Sequence, residues 1–339
     1  MRHFIITTIT ILAISLAAFA QKYKVTGSIP IPGEGGWDYL YADSDARLLY
    51  VTHGTQVDVI DLDSERVVGS ITGMKRIHGV AVAHEFNRGF ISDGGDDAVV
   101  IFDLKSRAVL QKVTAGKNPD GIVYDPASKR VFAFNGRSGD VTAIDAATGQ
   151  VAGTVALGGK PEFPVTDGAG NIYDNIEDKS EIVKIDSQAL KVTARWPVAP
   201  GKEPSGLAYD SATKRLFAVC DNQTMTVMNA ETGILVATVP IGDGPDATVY
   251  DADRKLVFSS NGEDGNLTIV KQESADKYSV ASTLKTEKSG RTLALDQKTH
   301  KIYIAAAQFR PAPAATADNS HPRPKIVSGS FHLVVVSPE

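Results

Sequence analysis

One cysteine, Cys220, stands in a chain of 339 residues. That excludes an internal disulfide framework, a CxxC redox pair and a thiolate zinc cluster, and it leaves Cys220 as a small apolar residue for a core. A basic excess is missing too: 35 Lys and Arg face 40 Asp and Glu, for a formal charge of −5. No basic footprint therefore marks the chain for nucleic-acid phosphate or an anionic membrane surface. Beyond the first twenty residues no apolar run approaches the roughly 20 residues of a membrane helix, and no window sustains a helical hydrophobic period. The familiar catalytic motifs are absent as well. His84-Glu85 has no second histidine to complete HExxH, no GxSxG elbow occurs, and no glycine-rich loop joins a strand pattern to a helix pattern. Disorder is excluded in turn by 42% apolar residues.

What is present begins with an address. Arg2 opens a short positive region, residues 4–16 are apolar apart from Thr and Ser, and Ala18-Phe19-Ala20 gives a small-x-small cleavage pattern before Gln21. Residues 1–20 read as a secretory signal peptide cut after Ala20. The expectation is a periplasmic or secreted protein, with no membrane span and no lipid anchor, since no cysteine follows the apolar run.

The remainder, residues 21–339, is one unit written seven times at intervals of roughly 40 to 43 residues. The units open at Trp37-Asp38-Tyr39, Ile77-His78-Gly79, Pro119-Asp120-Gly121, Pro161-Glu162-Phe163, Pro204-Ser205-Gly206, Pro245-Asp246-Ala247 and Gly290-Arg291-Thr292. Each holds four short runs rich in Val, Ile, Tyr, Phe and Thr between Gly, Asp, Asn and Pro turns; in the third unit these are residues 122–124, 130–134, 141–145 and 151–157. One small sheet cannot bury both faces, whereas a ring of sheets can, so the repeat predicts an all-β, seven-bladed β-propeller of four-stranded antiparallel blades in a single domain. The seventh unit stops one strand short. Residues 23–31 carry the missing outermost strand, which is expected to pair beside residues 331–336 and latch the first blade to the last.

At the ends of the second strands the letters become specific: Tyr50-Val51-Thr52-His53-Gly54, Phe90-Ile91-Ser92-Asp93-Gly94, Phe132-Ala133-Phe134-Asn135-Gly136 and Phe258-Ser259-Ser260-Asn261-Gly262. These resemble the Tyr-Val-Thr-Asn repeat of the YVTN/YncE-like β-propeller family, over all of residues 21–339. The resemblance implies an exported seven-bladed propeller from a group that includes surface-layer and periplasmic proteins, some similar to lactonases, to an antibiotic lyase or to cofactor-binding propellers of denitrification, and one to a DNA binder. It carries over no single activity. Units four, five and seven lack the asparagine at the signature's end, reading Asp174-Asn175-Ile176, Ala218-Val219-Cys220 and Ile304-Ala305-Ala306.

In a ring of blades, equivalent positions converge on the central channel. The second residue of each opening gives Asp38, His78, Asp120, Glu162, Ser205, Asp246 and Arg291. Four carboxylates, an imidazole and a guanidinium at one mouth make a candidate ligand site, with Asp38, Asp120, Glu162 and Asp246 as candidate ligands of a divalent cation such as calcium. Asp in a Pro-Asp-Gly turn also serves backbone donors, so His78, as base or ligand, and Arg291, as anion anchor, stand out where Asp is replaced. A second set, His53, Asp93, Asn135, Asp221 and Asn261, reads as turn chemistry with His53 as the exception and a further ligand candidate. His84, His300 and His332 read as structural. Residues 308–330 form a long loop in the last blade, carrying Arg310, His321, Arg323 and Lys325, either as a lid over the ring or as an irregular excursion.

Three functions follow. The first is a non-catalytic exported propeller, expected to be monomeric, that binds a small molecule or a protein partner at the channel face. The alternative is a metal-dependent lactonase- or lyase-like enzyme with His78 as general base and Arg291 steadying a carboxylate. Single-strand nucleic-acid binding would need a basic patch from the 308–330 loop.

Overall fold

The computed structural model describes residues 22–313 and 324–339. The expected signal peptide, with His321 and Arg323, lies outside the described residues. Within them, runs of five to nine residues between turns fold into seven four-stranded antiparallel sheets, each a sequential meander except the last. The third unit gives Pro119–Asp125, Arg130–Asn135, Asp140–Asp145 and Val151–Ala156, within a few residues of the sequence boundaries. The first strands of neighbouring blades contact one another around the ring, and that of blade 7 (Thr292–Asp296) meets that of blade 1 (Trp37–Asp43), so the circle is complete. This is the seven-bladed propeller the repeat predicts.

Packing follows from the repeat. The aromatic that opens each second-strand motif, Tyr50, Phe90, Phe132, Tyr173, Phe217, Phe258 and Tyr303, is buried in every blade. Such a ring removes about 150–250 Å² of its own surface from water, and one stands in each blade. Inner strands approach closely at the small residues of the openings: a Cβ on Gly121 would lie 2.3 Å from the carbonyl oxygen of Glu162 in blade 4.

Blade 7 is composite. The N-terminal strand Tyr23–Pro30 pairs antiparallel with His332–Pro338, so the sheet runs from the first described strand, through the last, to Lys301–Ala306 and Thr292–Asp296. The strand latch expected from residues 23–31 is present, with Phe331 lying just before its partner strand. Across the opposite face, side chains clasp blade to blade. Arg47 of blade 1 forks onto buried Asp296 of blade 7 at 2.8 Å, His300 of blade 7 donates to Asp251 of blade 6 at 2.8 Å, and Gln272 of blade 6 donates to Asp210 of blade 5 at 2.9 Å. Thr166 of blade 4 meets Asp125 of blade 3, and His84 of blade 2 meets Asp43 of blade 1. His84 and His300 are therefore structural clasps.

Candidate functional site

The predicted ring residues sit on the first strands at one mouth of the channel, Arg291 just before its strand, and neighbouring blades pin several of their backbones. Ser92 donates to the carbonyl of Asp120, Ser260 to that of Arg291, and Thr292 to that of Asp38. Ser205 spends its hydroxyl on the carbonyl of Pro245 at 2.9 Å, so its part in the ring is structural.

The charged members do not form one centre. His78 Nδ1 lies 2.6 Å from Asp38 Oδ2 and 3.5 Å from Asp120 Oδ1, so three consecutive blades meet at one imidazole nitrogen. Arg291 pairs with Asp246 and lies 3.8 Å from Asp38. Glu162 turns instead to Lys160, 2.5 Å away, which also meets Glu177. The expectation of Asp38, Asp120, Glu162 and Asp246 as a single cation ligand set is corrected here. Among the described residues, the group whose ligand atoms lie within 4.8 Å of one another is Asp38, His78 and Asp120. Glu162 and Asp246 are drawn off by their own cations.

Burial and crowding of like charge set the protonation. Burial, then the charge of Asp38, pushes Asp120 up to about 7. Burial and Asp120 push Glu162 up to about 9 against the pull of Lys160, and burial raises Asp246 against Arg291. For His78 burial favours the neutral ring, yet Asp38 and Asp120 outweigh it and raise the imidazole above its ordinary range. At neutral pH the ring therefore holds protons, and its negative charge is smaller than its composition states.

Sequence reasoning missed several residues. Tyr39 and Phe163 meet edge-on across the channel, ring centres 4.8 Å apart, from blades 1 and 4. The signal was in the openings, where these two aromatics replace the small residue of the other five units. Burial, then Glu162 and the ring aspartates, holds the Tyr39 phenol well above its ordinary range. Asn118, one residue before the third opening, is buried with no partner for Oδ1. Asp174 is fully buried with neither carboxylate oxygen paired. Burial, then Glu162 and Asp120, raises it well above the usual carboxylate range.

His53, expected as a ligand-binding residue, is corrected to a structural one. It is buried under Gly33 and Gly35, its Nδ1 donates to Asp58 at 3.0 Å, and its ring packs on Phe331. Asp58 holds the strand position that Thr142 and Thr268 hold in blades 3 and 6, where Asn135 and Asn261 make the same bond at 3.0 and 2.9 Å. His53 thus does the asparagine's work with a changed partner. His332 accepts a similar duty, bonding Ser330 and Glu287. Cys220 is buried, its thiol pushed up to about 12 by that burial.

Above the ring lies an open cleft of about 1880 Å³. The stem of the long loop forms one wall: Phe309 bridges Ile326, Arg310 N donates to Lys325 O at 2.8 Å, and Phe309 packs against Trp37. Arg76, Arg137, Lys288 and Lys325 line the cleft, all exposed and without an acidic partner among the described residues. Its acids are largely engaged: Asp38 and Asp246 by Arg291, Glu287 by His332, and Glu34 by Ser328. The Glu263 carboxylate has no partner among the described residues, so the charge left uncompensated in the lining is mostly, not wholly, positive.

Fold and site together define a seven-bladed β-propeller with a charged ring at one mouth of its channel. No family model matches the chain, and no curated protein matches it. Among solved structures it is similar to a chain of Kuenenia stuttgartiensis hydrazine synthase, at TM-score 0.72 and 14% identity over 81% of this chain and 94% of that one. It is also similar to a chain of a mitotic checkpoint complex, at TM-score 0.74 and 14% identity over 99% of this chain and 98% of that one. These likenesses concern the fold. Among the described residues no helix is long and apolar enough to cross a membrane.

Proposed function

We propose that the chain is a YVTN/YncE-like propeller, exported through residues 1–20, that binds an acidic ligand at the ring face and catalyses no reaction there. One observation carries this: four exposed cations without acidic partners among the described residues, Arg76, Arg137, Lys288 and Lys325, line a cleft in which Asp38 and Asp246 are paired with Arg291 and Glu287 with His332, leaving Glu34 and Glu263 as the lining carboxylates without a cation. At about 1880 Å³ the cleft exceeds the roughly 300–1,000 Å³ of sites for single small molecules. That size favours an extended acidic segment of a partner protein over a lone metabolite. The propeller fold supports a binding role by the same logic, since its rigid blades hold mouth residues in place without constraining the loops.

The test is binding of acidic and basic peptide arrays to the purified protein and to an Arg76→Glu/Lys288→Glu double variant. Acidic peptides should bind and weaken with salt, and the double variant should lose at least about 10-fold, the equivalent of ~1.4 kcal/mol. Equal retention of acidic and basic peptides, or unchanged affinity in the variant, overturns the proposal.

A further inference from the structure

The ring holds a second kind of site, at the floor of the cleft. We infer that Asp38, His78 and Asp120 form a binding site for one first-row divalent transition-metal ion, ligated through His78 Nδ1 and the two carboxylates.

The first argument is spacing. Ligand atoms around an ion with bonds of about 2.0–2.2 Å stand roughly 3.0–3.5 Å apart. Here Nδ1 stands 2.6 Å from Asp38 and 3.5 Å from Asp120, values that bracket this range. All three ligands come from first strands, with the backbones of Asp38 and Asp120 pinned by Thr292 and Ser92 of neighbouring blades and that of Gly79, next to His78, by Ser92 of its own blade. On binding, the ion takes the place of the proton between Nδ1 and Asp38, and that proton leaves to solvent.

The second argument is independent and lies behind the imidazole. His78 is more than nine-tenths buried, and its Nε2 has no partner. Asn118, likewise more than nine-tenths buried, has an unpartnered Oδ1. Both atoms close on Gly94, where a Cβ would lie 2.7 Å from Nε2 and 3.0 Å from Oδ1. The Asn118 amide also borders Gly136, whose added Cβ would meet Asn118 Nδ2 at 3.3 Å and Asp120 Oδ2 at 3.8 Å. A metal-bound histidine donates its other ring N–H to an oxygen, which fixes the tautomer with a lone pair on the ligating nitrogen. No hydrogen bond joins Nε2 to Asn118 Oδ1 in this structure; that oxygen, unspent beside the same glycine, is the one assigned here to take the N–H on ligation. Arg291, 3.8 Å from Asp38 Oδ1, steadies the first carboxylate from the other side.

The donor set also chooses the ion. One imidazole nitrogen with two carboxylates suits Zn²⁺, Mn²⁺, Fe²⁺ or Co²⁺, whereas Ca²⁺ seeks six to eight oxygens. The calcium expected from the carboxylates alone gives way to an ion that accepts nitrogen. The remaining coordination positions would face the cleft.

The experiment is titration of the purified, chelator-treated protein with Zn²⁺, Co²⁺ and Ca²⁺ separately, followed by calorimetry and elemental analysis. One Zn²⁺ or Co²⁺ per chain, bound at least about 10-fold more tightly than Ca²⁺, is expected. Binding should be lost in His78→Ala and Asp120→Asn, and weakened about 10- to 100-fold in Asn118→Leu. If those variants fail to fold, Co²⁺ added to the unmodified protein decides the matter. A single hyperfine-shifted, exchangeable proton resonance from a ligated histidine's remaining ring N–H supports the site. No stoichiometric binding, a preference for Ca²⁺, metal retained by folded His78→Ala, or a Co²⁺ spectrum without that resonance overturns it.

Discussion

Replacing Asp174 by valine should make the protein more stable, and more so as the pH rises. Asp174 is fully buried with neither oxygen paired, at a strand position held by Val51, Ile91 and Ile304 in blades 1, 2 and 7. An unpaired buried polar group costs about 1–3 kcal/mol even when uncharged, and valine adds about 1–2 kcal/mol of apolar burial. The variant should therefore gain about 2–5 kcal/mol at pH 5, or roughly 2 °C in Tm per kcal/mol for a chain of this size. The pH term has a definite sign. Burial raises the folded carboxyl well above its ordinary value, so between the unfolded pKa near ~4 and the folded one the native state holds a proton that the unfolded chain releases. Stability contributed below that window falls by about 1.4 kcal/mol for each pH unit climbed within it. Urea unfolding at pH 5 and pH 7 should show the advantage of Asp174→Val widening, while Asp174→Asn flattens the slope without the gain from apolar burial. A variant less stable than the parent at both pH values, or an advantage that stays constant, would refute the reasoning.

Phe132→Ala should cost about 3–5 kcal/mol, read as a lower urea midpoint at unchanged slope, because each blade is built on one such ring. Arg47→Met should cost about 1–3 kcal/mol and lower hydrogen-exchange protection in Tyr23–Pro30 first, since it frees buried Asp296 at the seam between blades 1 and 7. Asp125, Asp210 and Asp296 lie below the ordinary carboxylate range, hydroxyl and amide donors outweighing burial. Their contribution is present above pH ~4 and vanishes as pH falls through their folded values. With Asp174 and Asp120 acting in the opposite sense, melting curves from pH 3 to 9 should peak on the acid side of neutrality; a peak at pH 8 or above would contradict this.

Much of the architecture was legible because a closed repeat converts alignment into proximity. Residues that share a column, such as Asp38, His78, Asp120 and Arg291, share a mouth of the channel, and the missing fourth strand of unit seven named its own substitute at residues 23–31. A column does not say where a side chain points. Glu162 leaves the ring for Lys160, Ser205 bonds a neighbouring carbonyl, and His53 substitutes for an asparagine because Asp58 substitutes for a threonine. Asn118 and Asp174 lie outside the ring column altogether. Only packing reveals them, since their interest is that nothing pairs with them.

The composite seventh blade also fixes an order of events during synthesis. Thr26 meets Val335 across 309 residues, and drawing so long a segment into a circle costs about 5 kcal/mol of chain entropy. On a ribosome the strand Tyr23–Pro30 waits unpaired until His332–Pro338 has emerged, so the circle shuts late. A holding factor during that interval would protect an exposed edge. Because Glu339 N donates to Lys22 O at 2.8 Å in the finished ring, a short peptide joining these two points would permit new termini in any turn between blades. A permutant opened there would carry its strands in seven uninterrupted blades, and its refolding rate would report how much of the barrier belongs to the seam.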